Sequence, residues 1–280
     1  MTMLETVRLE RQPAFAIAQR TGAISITDIV AVLKGEVTGL HVKEGFNPQV
    51  AAALTDNFFG NPGLKERRDG VPGQYIGASH YRMNAARYFR ECADARPAIE
   101  ALLGTMVDPV RALFDALKRE LARDGIALRL ARSEHGEANV CRATCWSGAG
   151  TYVLEPHDDV AQVLFAGDDF ELTEVAQNTV VALNFYPNTA EEGGNLRVWD
   201  CKPTADDRRR YDVETTGYPY PQAALAGACY HDFMLQAGDI VLIDGGYVHG
   251  VTKQSGNGKP RLLVHAFLGF ARPDLVLWWT

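Results

Sequence analysis

A change in the hydrophobic pattern near residue 126 limits the folds open to this chain more than any other feature of its sequence. Upstream, apolar residues recur three or four positions apart, as on the buried face of amphipathic helices. Downstream, short apolar runs alternate with turn residues, as in antiparallel β proteins. No linker rich in Pro, Gly or Ser separates the two parts. We therefore expect residues 1–280 to form one domain, in which 1–125 are a mainly helical cap and support and 126–280 form a β core.

The two patterns also predict individual elements. Helices are expected at 49–58, 85–92 and 97–124, and strands at 127–131, 138–146, 152–155, 179–185, 195–200, 239–243 and 261–269. Turns such as Gly193-Gly194 and Asn257-Gly258 separate the strands. A series of short antiparallel strands is typical of a double-stranded β-helix, the jelly roll that cupins share. We therefore predict an α+β fold in which a helical N-terminal layer packs on a jelly roll.

Composition excludes several classes of protein. The 280 residues are 46% hydrophobic, which suffices for a sizeable buried core. No apolar run reaches the ~18 residues of a membrane helix, and residues 1–12 lack the apolar stretch of a secretory signal, so we expect a cytoplasmic protein. A net charge of −7 opposes nucleic-acid binding, and the basic run 208–210 follows two aspartates and is interpreted as solvated. The five cysteines form no close CxxC pair, which predicts reduced thiols.

The most informative short motif is EPHDD at residues 155–159. Alternation along an extended backbone places His157 and Asp159 on the same side, so both can bind one metal ion. Non-haem Fe(II) oxygenases bind iron through two imidazoles and one carboxylate on one face, and leave the opposite positions for 2-oxoglutarate and O2. The motif therefore predicts two of three iron ligands, and a second histidine must come from elsewhere in the chain.

His249 is the candidate for that third ligand. It follows a glycine turn, the apolar strand expected at 239–243 and a short loop, and the strands between it and His157 can fold back so that the two segments meet. Arg261 then begins the last strong strand. Its planar guanidinium can hold the distal carboxylate of 2-oxoglutarate through two hydrogen bonds, which a lysine does less well. Each residue alone is a weak signal, but together they predict a site for Fe(II) and 2-oxoglutarate.

With these residues in view, the C-terminal half resembles the Fe(II)/2-oxoglutarate-dependent oxygenase superfamily. The likeness covers residues 137–280 and rests on the segments 157–159, 191–196 (EEGGNL) and 238–261. The ending is similar to the freestanding alkaloid halogenases of the hapalindole and welwitindolinone type, a group that also contains hydroxylases and halogenases of free or N-acylated amino acids. The resemblance implies a jelly roll, Fe(II) and 2-oxoglutarate as cofactors, and O2 as co-substrate.

Two departures from that group bear on the reaction. In its halogenases, Gly or Ala replaces the carboxylate ligand and opens a site for chloride, whereas this chain has Asp159. The resemblance therefore implies a hydroxylase rather than a halogenase, in which conversion of 2-oxoglutarate to succinate and carbon dioxide is coupled to hydroxylation of an sp3 C–H bond. Many relatives also carry Ser or Thr two residues after the arginine. This chain has Leu263 there, so one hydrogen bond to the cofactor must come from another residue.

Two residues on the predicted strands are further candidates for the pocket. Alternation places His265 on the same face as Arg261, where it either lines the pocket or is a core histidine bonded to a backbone carbonyl. Asn184 either donates a hydrogen bond to 2-oxoglutarate or stabilises a neighbouring strand. The sequence leaves both choices open.

Besides His265, four residues are candidates for contact with the substrate. His80 and Arg82 lie in the glycine-punctuated segment 77–82, just before a predicted helix. Arg82 is either a clamp for a substrate carboxylate or an ordinary surface charge. Trp199 and Tyr247 either form an apolar wall for the substrate or pack in the core.

The sequence constrains the substrate least. A small molecule with an sp3 C–H bond is expected, with a free or N-substituted amino acid as the first candidate. The same iron site can also support desaturation, cyclisation or epimerisation of an alkaloid-like metabolite, because substrate placement decides the outcome. Outside the oxygenases, a cupin-like metal-binding protein is the main alternative, although it would not need Arg261. A homodimer stays open, since dimerisation has no sequence signature here.

Overall fold

Two β-sheets face each other in the computed structural model of the chain, which describes residues 8–12, 14–67, 73–146, 150–165, 170–255 and 261–280. Within these ranges the larger sheet contains ten strands and the smaller one four. Their facing sides share a hydrophobic cluster in which Ala182, Tyr186 and Ile243 of the larger sheet pack with Leu196 and Val251 of the smaller. Two facing, mainly antiparallel sheets around such a core form a jelly roll, so the predicted α+β class with a jelly-roll core is confirmed.

The described ranges contain eighteen strands and seven α-helices. The strands are β1 (Ile17–Thr21), β2 (Gly39–Lys43), β3 (Lys65–Arg67), β4 (Gly73–Ile76), β5 (Ala127–Leu130), β6 (Arg132–Ser133), β7 (Gly136–Glu137), β8 (Arg142–Trp146), β9 (Tyr152–His157), β10 (Val181–Asn188), β11 (Glu192–Gly193), β12 (Leu196–Trp199), β13 (Tyr230–Phe233), β14 (Asp239–Asp244), β15 (His249–Thr252), β16 (Gln254–Ser255), β17 (Leu262–Arg272) and β18 (Leu275–Trp279). The helices are α1 (Ile26–Leu33), α2 (Pro48–Phe59), α3 (Ala85–Leu103), α4 (Pro109–Arg123), α5 (Asp159–Leu164), α6 (Ala205–Arg210) and α7 (Val213–Thr216). Short 3-10 helices lie at Glu171–Gln177 and Gln222–Leu225.

The strand order brings distant segments of the chain together. The centre of the larger sheet has the order β14-β10-β17-β8, with β2 and β1 beyond β14 and β4 and β3 beyond β8. The second half of β17 pairs with β18, which also pairs with β5. The smaller sheet has the order β13-β12-β15-β9. Strands β9 and β15 are therefore neighbours, although most of the jelly roll lies between them in sequence.

Successive side chains of β10 point alternately to the outer face and to the inner face of the larger sheet. Leu183 and Phe185 point outward and pack in the cluster that contains the buried sides of α1 to α4. Ala182, Asn184 and Tyr186 point inward and line a cavity between the sheets. One strand thus contributes to the cluster that it shares with α1 to α4 and to the inner wall of the cavity, as expected when successive side chains alternate.

The first 125 residues contain more β structure than predicted. Helices α1 to α4 lie there, but strands β1 to β4 lie there too and extend the larger sheet at both edges. The prediction of a mainly helical segment missed them because β1 to β4 are only three to five residues long and β1 shows no alternation of apolar and polar residues. The N-terminal part therefore supplies strands as well as helices to the fold.

The single helix predicted at 97–124 is wrong, because this region contains parts of two helices. Helix α3 runs through Pro97 and ends before Gly104, and α4 begins at Pro109. The side chain of Asp108 accepts hydrogen bonds from the first backbone N–H groups of α4, so it caps a new helix. Met106, which falls inside the predicted helix, lies in the connection between α3 and α4 and is 85% exposed. The separation follows from Gly104 and the Asp108-Pro109 pair, which end one helix and start the next.

The turn predicted at Gly193-Gly194 is confirmed. Both residues have positive φ, 68° and 65°, and a Cβ on Gly193 would collide with the carbonyl oxygen of Lys253. The other predicted turn, Asn257-Gly258, lies outside the described residues. All five cysteines are free, as expected, and four of them are buried.

Among the helices in the described part of the chain, none combines the length and the apolar character needed to cross a bilayer.

Candidate metal centre and cavity

The structure brings His157, Asp159 and His249 together at one edge of the smaller sheet. His157 is the last residue of β9 and His249 the first of β15, and the two are register partners across the antiparallel pair. Asp159 is the first residue of α5, which directly follows β9. One nitrogen or oxygen atom from each residue lies within 4.8 Å of the others, and all three side chains are buried. The three groups can therefore hold one metal ion.

Backbone carbonyls fix the orientation of both imidazoles. Nδ1 of His157 lies 2.8 Å from the carbonyl oxygen of Glu155, and Nδ1 of His249 lies 2.9 Å from that of Tyr247. A carbonyl can only accept, so each Nδ1 carries the hydrogen and each Nε2 lone pair points toward Asp159. Nε2 of His249 is 3.4 Å from one carboxylate oxygen and Nε2 of His157 is 3.8 Å from the other. Such second hydrogen bonds are typical of metal-ligating histidines.

Burial and mutual charge set the protonation of the three groups. Burial, together with the nearby His249, lowers the pKa of His157 to about 4, so this imidazole is neutral. Burial alone would raise the pKa of Asp159, but His249 and His157 outweigh it and lower that pKa, so the carboxylate is ionised. Burial opposes the charged form of His249, but Asp159 raises its pKa overall. Imidazole nitrogen and carboxylate oxygen form the donor set that non-haem Fe(II) prefers.

Gly245 makes room for the carboxylate of Asp159. Its carbonyl accepts a 2.7 Å hydrogen bond from the backbone N–H of Asp159. A Cβ on Gly245 would collide with Oδ2 of Asp159 and lie 2.9 Å from its Cβ and Cγ. The absence of a side chain at this position therefore allows the acidic ligand to lie against the backbone that leads to β15.

Asp158, between two of the candidate ligands, is buried in a hydrogen-bond network. It is fully buried and accepts hydrogen bonds from the backbone N–H of Ala161 (2.9 Å), the hydroxyl of Tyr220 (2.7 Å) and the guanidinium of Arg208 (2.9 Å). The first of these bonds caps α5 and thereby fixes Asp159 in its first turn. Arg208 is itself buried, so the interpretation of run 208–210 as solvated is wrong for this residue. The spacing along the sequence gave no indication that residues 208–210 lie beside the motif at residues 155–159.

Arg261 is a buried cation that has no acidic partner among the residues that the structure describes. It is 2% exposed, and in the described part of the chain its one hydrogen bond is from Nη2 to the hydroxyl of Tyr186, at 3.3 Å. The guanidinium lies over the rings of Trp146 and Tyr186, at 5.2 and 5.0 Å from their centroids. Its Nε and Nη1 have no hydrogen-bond partner within the described ranges, and burial lowers the pKa of Arg261. A buried charge with unused donors is costly, which indicates an anionic ligand.

A cavity of about 110 Å³ connects the three candidate ligands with Arg261. Much of its wall is aliphatic or aromatic and comes from both sheets. Apolar lining residues include Leu154, Leu196, Ile243, Val251, Leu263 and Phe267. The site therefore combines one acidic metal-binding corner, one cationic corner and apolar walls, which are the features of a small-molecule site.

Asn184 and His265, the two strand residues proposed for the pocket, both line this cavity. They are register partners on β10 and β17. Burial, with a contribution from Arg142, lowers the pKa of His265 to about 3, so its ring is neutral. Its Nε2 is buried and has no hydrogen-bond partner among the described residues, which leaves this atom available to a ligand.

Of the five residues proposed for substrate contact, His265 lines the cavity and the other four do not. His80 is buried beside Phe267 and bonds through Nδ1 to the main-chain oxygen of Thr280 (3.3 Å). Arg82 is exposed and lies over the ring of Tyr81, at 5.2 Å. Trp199 packs in a separate core cluster, and Tyr247 packs against Phe15. The residues next to these positions in the sequence do not indicate whether a side chain lines the pocket, because the fold determines which side chains point inward.

Six polar residues that the sequence did not single out do line the cavity. They are Ser79, Tyr81, Arg142, Gln162, Tyr186 and Tyr218. Arg142 lies on a predicted strand, but no pattern indicated its direction. Tyr218 lies in the long connection between β12 and β13, and its ring is edge-on to that of His157, with centroids 6.3 Å apart. Ser79 and Tyr81 lie in the segment 77–82, so that segment reaches the cavity through other residues than expected.

Comparison with known proteins gives one curated relative and a set of similar folds. No protein-family model matches the chain. It is 32% identical over 209 residues to the L-isoleucine 3(1)-dioxygenase of Pantoea ananatis (strain AJ13355), which covers 73% of this chain and 69% of that protein. Its fold is similar to the crystal structure of an N-substituted L-amino acid dioxygenase from Burkholderia ambifaria AMMD, with a TM-score of 0.59, 15% identity and 91% of each chain covered. The complex of that enzyme with alpha-KG gives a TM-score of 0.57, also with 15% identity and 91% of each chain covered. At this identity the structural match shows a shared fold.

We predict that Gly245→Ala weakens iron binding. Gly245 does not have a positive φ, so its backbone tolerates alanine, and the main consequence is the collision with the carboxylate of Asp159. Displacing a ligand through its support typically lowers metal affinity by about 10- to 100-fold. Anaerobic calorimetric titration with Fe(II) measures the change. Gly104→Ala, on an exposed residue where a Cβ comes no closer than 3.4 Å to another atom, is the control. Wild-type affinity in Gly245→Ala would contradict the assignment of Asp159 as a ligand.

We also predict that Arg208→Met is strongly destabilising, whereas Arg209→Met is nearly neutral. Loss of Arg208 leaves the buried carboxylate of Asp158 without its cation, which typically costs about 3–5 kcal/mol in the free energy of unfolding. Arg209, the next residue, forms an exposed pair with Asp206, for which a change within ~0.5 kcal/mol is expected. Urea unfolding of both variants tests this. Equal effects would show that the buried pair has no special role.

Proposed function

Because the chain belongs to the Fe(II)/2-oxoglutarate-dependent oxygenase superfamily, we propose that it hydroxylates an sp3 carbon of an amino acid. The cofactors of this dioxygenase are Fe(II) and 2-oxoglutarate, and O2 is its co-substrate. The iron would be held by His157, Asp159 and His249, and the distal carboxylate of 2-oxoglutarate by Arg261. The observation that carries the proposal is the convergence of three ligand atoms within 4.8 Å at a cavity whose wall also contains a buried guanidinium without an acidic partner in the described ranges.

The residues present fit both cofactors. Oδ2 of Asp159 is buried without a hydrogen-bond partner within the described ranges, and both imidazoles direct Nε2 toward it, as a cation site requires. Arg261 offers two unused N–H groups to a carboxylate, and the rings of Trp146 and Tyr186 hold its plane. When bound, Fe(II) and 2-oxoglutarate supply the oxidant, with 2-oxoglutarate converted to succinate and carbon dioxide as one oxygen atom is delivered to the substrate.

The chain itself contributes orientation and exclusion of water. The carbonyls of Glu155 and Tyr247 keep the two imidazoles in one tautomer, and the cap at Asp158 keeps Asp159 beside them. The apolar walls limit water around the site and suit an aliphatic side chain. Asn184 and His265 line the same cavity and are the candidates for the cofactor hydrogen bond that Leu263 cannot make.

The presence of Asp159 favours hydroxylation over halogenation. The resemblance implies that its carboxylate takes the position that halogenases leave open for chloride, and Gly245 leaves room for the carboxylate, with which a Cβ would collide. The name of the Pantoea ananatis relative supports a free aliphatic L-amino acid as the substrate class. We therefore take L-isoleucine as the first substrate to test.

We propose that α1 to α4 form a layer on the outer face of the larger sheet, since their buried sides share one cluster with its strands. The joining of β1 to β4 to the jelly-roll sheet supports one domain over residues 1–280, with the jelly-roll core in 126–280. A small-molecule substrate, a cytoplasmic location and the absence of nucleic-acid and membrane partners stay predictions, and a homodimer stays open.

We predict that Arg261→Met abolishes tight 2-oxoglutarate binding without destabilising the cofactor-free protein. The guanidinium is buried and has unused donors, so its burial costs free energy. Replacement by the apolar side chain of Met removes this cost, and the free energy of unfolding should stay the same or rise. The 2-oxoglutarate affinity should fall by about 100-fold, as expected for loss of a charge-assisted pair. Calorimetry and thermal unfolding measure the two quantities, and Arg272→Met, on an exposed pair with Asp274, is the control. A destabilised variant that binds 2-oxoglutarate normally would show that Arg261 is structural.

The activity test supplies L-isoleucine, 2-oxoglutarate, Fe(II) and O2, and follows succinate and the mass of the product. Hydroxylation predicts equal amounts of succinate and of a product heavier by one oxygen atom. A product lighter by two hydrogens would instead support desaturation at the same site. Binding of both cofactors without turnover of any free or N-substituted amino acid would contradict the proposed substrate class.

A further inference from the structure

One short side chain interrupts the inner wall of the larger sheet. Ala182 of β10 lines the cavity, and its register partners on either side are Ile243 of β14 and Phe267 of β17, which line it too. Neighbouring strands lie about 4.8 Å apart, so the three side chains stand next to one another on the inner face. Because the methyl group of Ala182 is shorter than both neighbours, it forms the floor of a recess between them.

Both sides of this recess are fixed by packing. The ring of Phe267 stacks on that of Trp279, with centroids 5.8 Å apart, and lies edge-on to that of His80, at 5.6 Å. Ile243 is fully buried and packs with Ala182 in the hydrophobic cluster between the sheets. These contacts leave the two large side chains little freedom to fill the recess themselves. The recess therefore has rigid, apolar sides.

The recess lies beside the candidate metal centre. Gly245, whose carbonyl oxygen accepts a 2.7 Å hydrogen bond from the N–H of Asp159, follows Ile243 by two positions. Two positions span about 6.6 Å in an extended backbone. A Cβ on Gly245 would collide with Oδ2 of Asp159, so the carboxylate lies against the sheet just past the recess. A group bound in the recess is therefore close to the atoms that would hold the iron.

The cationic corner of the cavity is farther away. Arg261 lies directly before β17 and Phe267 lies six residues later, a distance of about 20 Å along an extended strand. The side chain of Arg261 and a 2-oxoglutarate molecule extended from it are together shorter than this distance. The guanidinium also contacts Tyr186, which is four residues from Ala182 along β10. A 2-oxoglutarate bound to Arg261 therefore leaves the recess open to the substrate.

We propose that the recess over Ala182 binds the end of the aliphatic side chain of the amino-acid substrate and limits the length of the chain that fits. This inference rests on the proposed function and specifies how one aliphatic amino acid is distinguished from another. A substrate that presents an sp3 C–H bond to the iron can place its terminal carbons between Ile243 and Phe267. Burial of each further carbon is favourable there until the chain meets the methyl group of Ala182.

The test combines a change in the protein with a matched change in the ligand. Wild type and Ala182→Val are loaded anaerobically with Fe(II) and 2-oxoglutarate, and calorimetry measures the binding of L-isoleucine and of L-valine, which lacks the terminal carbon. Wild type should prefer L-isoleucine by about 10-fold, as for one carbon in an apolar pocket. The added carbons of Ala182→Val fill the recess, so L-isoleucine should weaken by about 10-fold or more and L-valine by less than about threefold.

A second variant enlarges the recess instead of filling it. Ile243→Val removes one carbon from its side, a change that buried positions commonly tolerate. Relative to L-isoleucine, this variant should improve binding of the homologue with one more terminal methylene by about 10-fold. Ala127→Val, the same substitution as at Ala182 but at an exposed position of β5, is the control for a general effect of the added carbons and should leave all affinities unchanged.

The possible failures are distinguishable. If wild type binds neither Fe(II) nor 2-oxoglutarate, the proposed function itself fails. If both cofactors bind, the recess alone fails when wild type does not prefer L-isoleucine, or when Ala182→Val weakens both amino acids alike or neither. Loss of 2-oxoglutarate binding in Ala182→Val would also overturn the proposal, because the cofactor would then occupy the recess. Thermal unfolding shows whether Ala182→Val is folded. If it is not, Ile243→Val decides, and unchanged discrimination against the longer homologue overturns the proposal.

Discussion

The antiparallel pairing of β9 with β15 is the constraint on which the candidate site depends. It places His157 opposite His249, two residues that are distant in sequence, and so determines where two imidazoles meet. The third group follows from the next residues of the chain, because Asp158 caps α5 and leaves Asp159 in its first turn. The rest of the jelly roll supports this pairing from both sides, with β12 beside β15 and the larger sheet across the cavity.

The charged side chains buried at this site either pair with another residue of the protein or are available to pair with a bound ligand. Asp158 is neutralised by Arg208 within a closed network, and its role is structural. Asp159 and Arg261 keep unused polar atoms in the described ranges, and these atoms face one cavity. Unused buried donors and acceptors destabilise a fold, so they are expected where a ligand supplies the missing contacts. Asp158 and Asp159 are adjacent in sequence but differ in role. Asp158 is fully hydrogen-bonded and supports the fold, whereas Asp159 keeps an unused oxygen atom at the cavity.

The jelly-roll class and the three residues that converge at the candidate metal centre could be predicted from the sequence better than the rest of the cavity. The HxD spacing, a later histidine and a following arginine are local signals with a chemical meaning, and the strands that carry them are strongly apolar. The direction of Arg142 toward the cavity, and of Arg82 away from it, depends on how segment 77–82 packs against β8, which no local pattern records. The same holds for Arg208, whose partner lies in another part of the chain, and for the short strands β3 and β4.

The most direct test of this account is anaerobic titration of the wild-type protein with Fe(II) and 2-oxoglutarate, followed through the weak visible charge-transfer absorption of the chelate that the two form together. The account predicts that the absorption appears with one equivalent of iron, requires 2-oxoglutarate, and is lost when His249 is replaced by alanine. Absence of the absorption in wild type, with no binding of either cofactor, would contradict the assignment of the site. The convergence of His157, Asp159 and His249 would then be a coincidence of the fold.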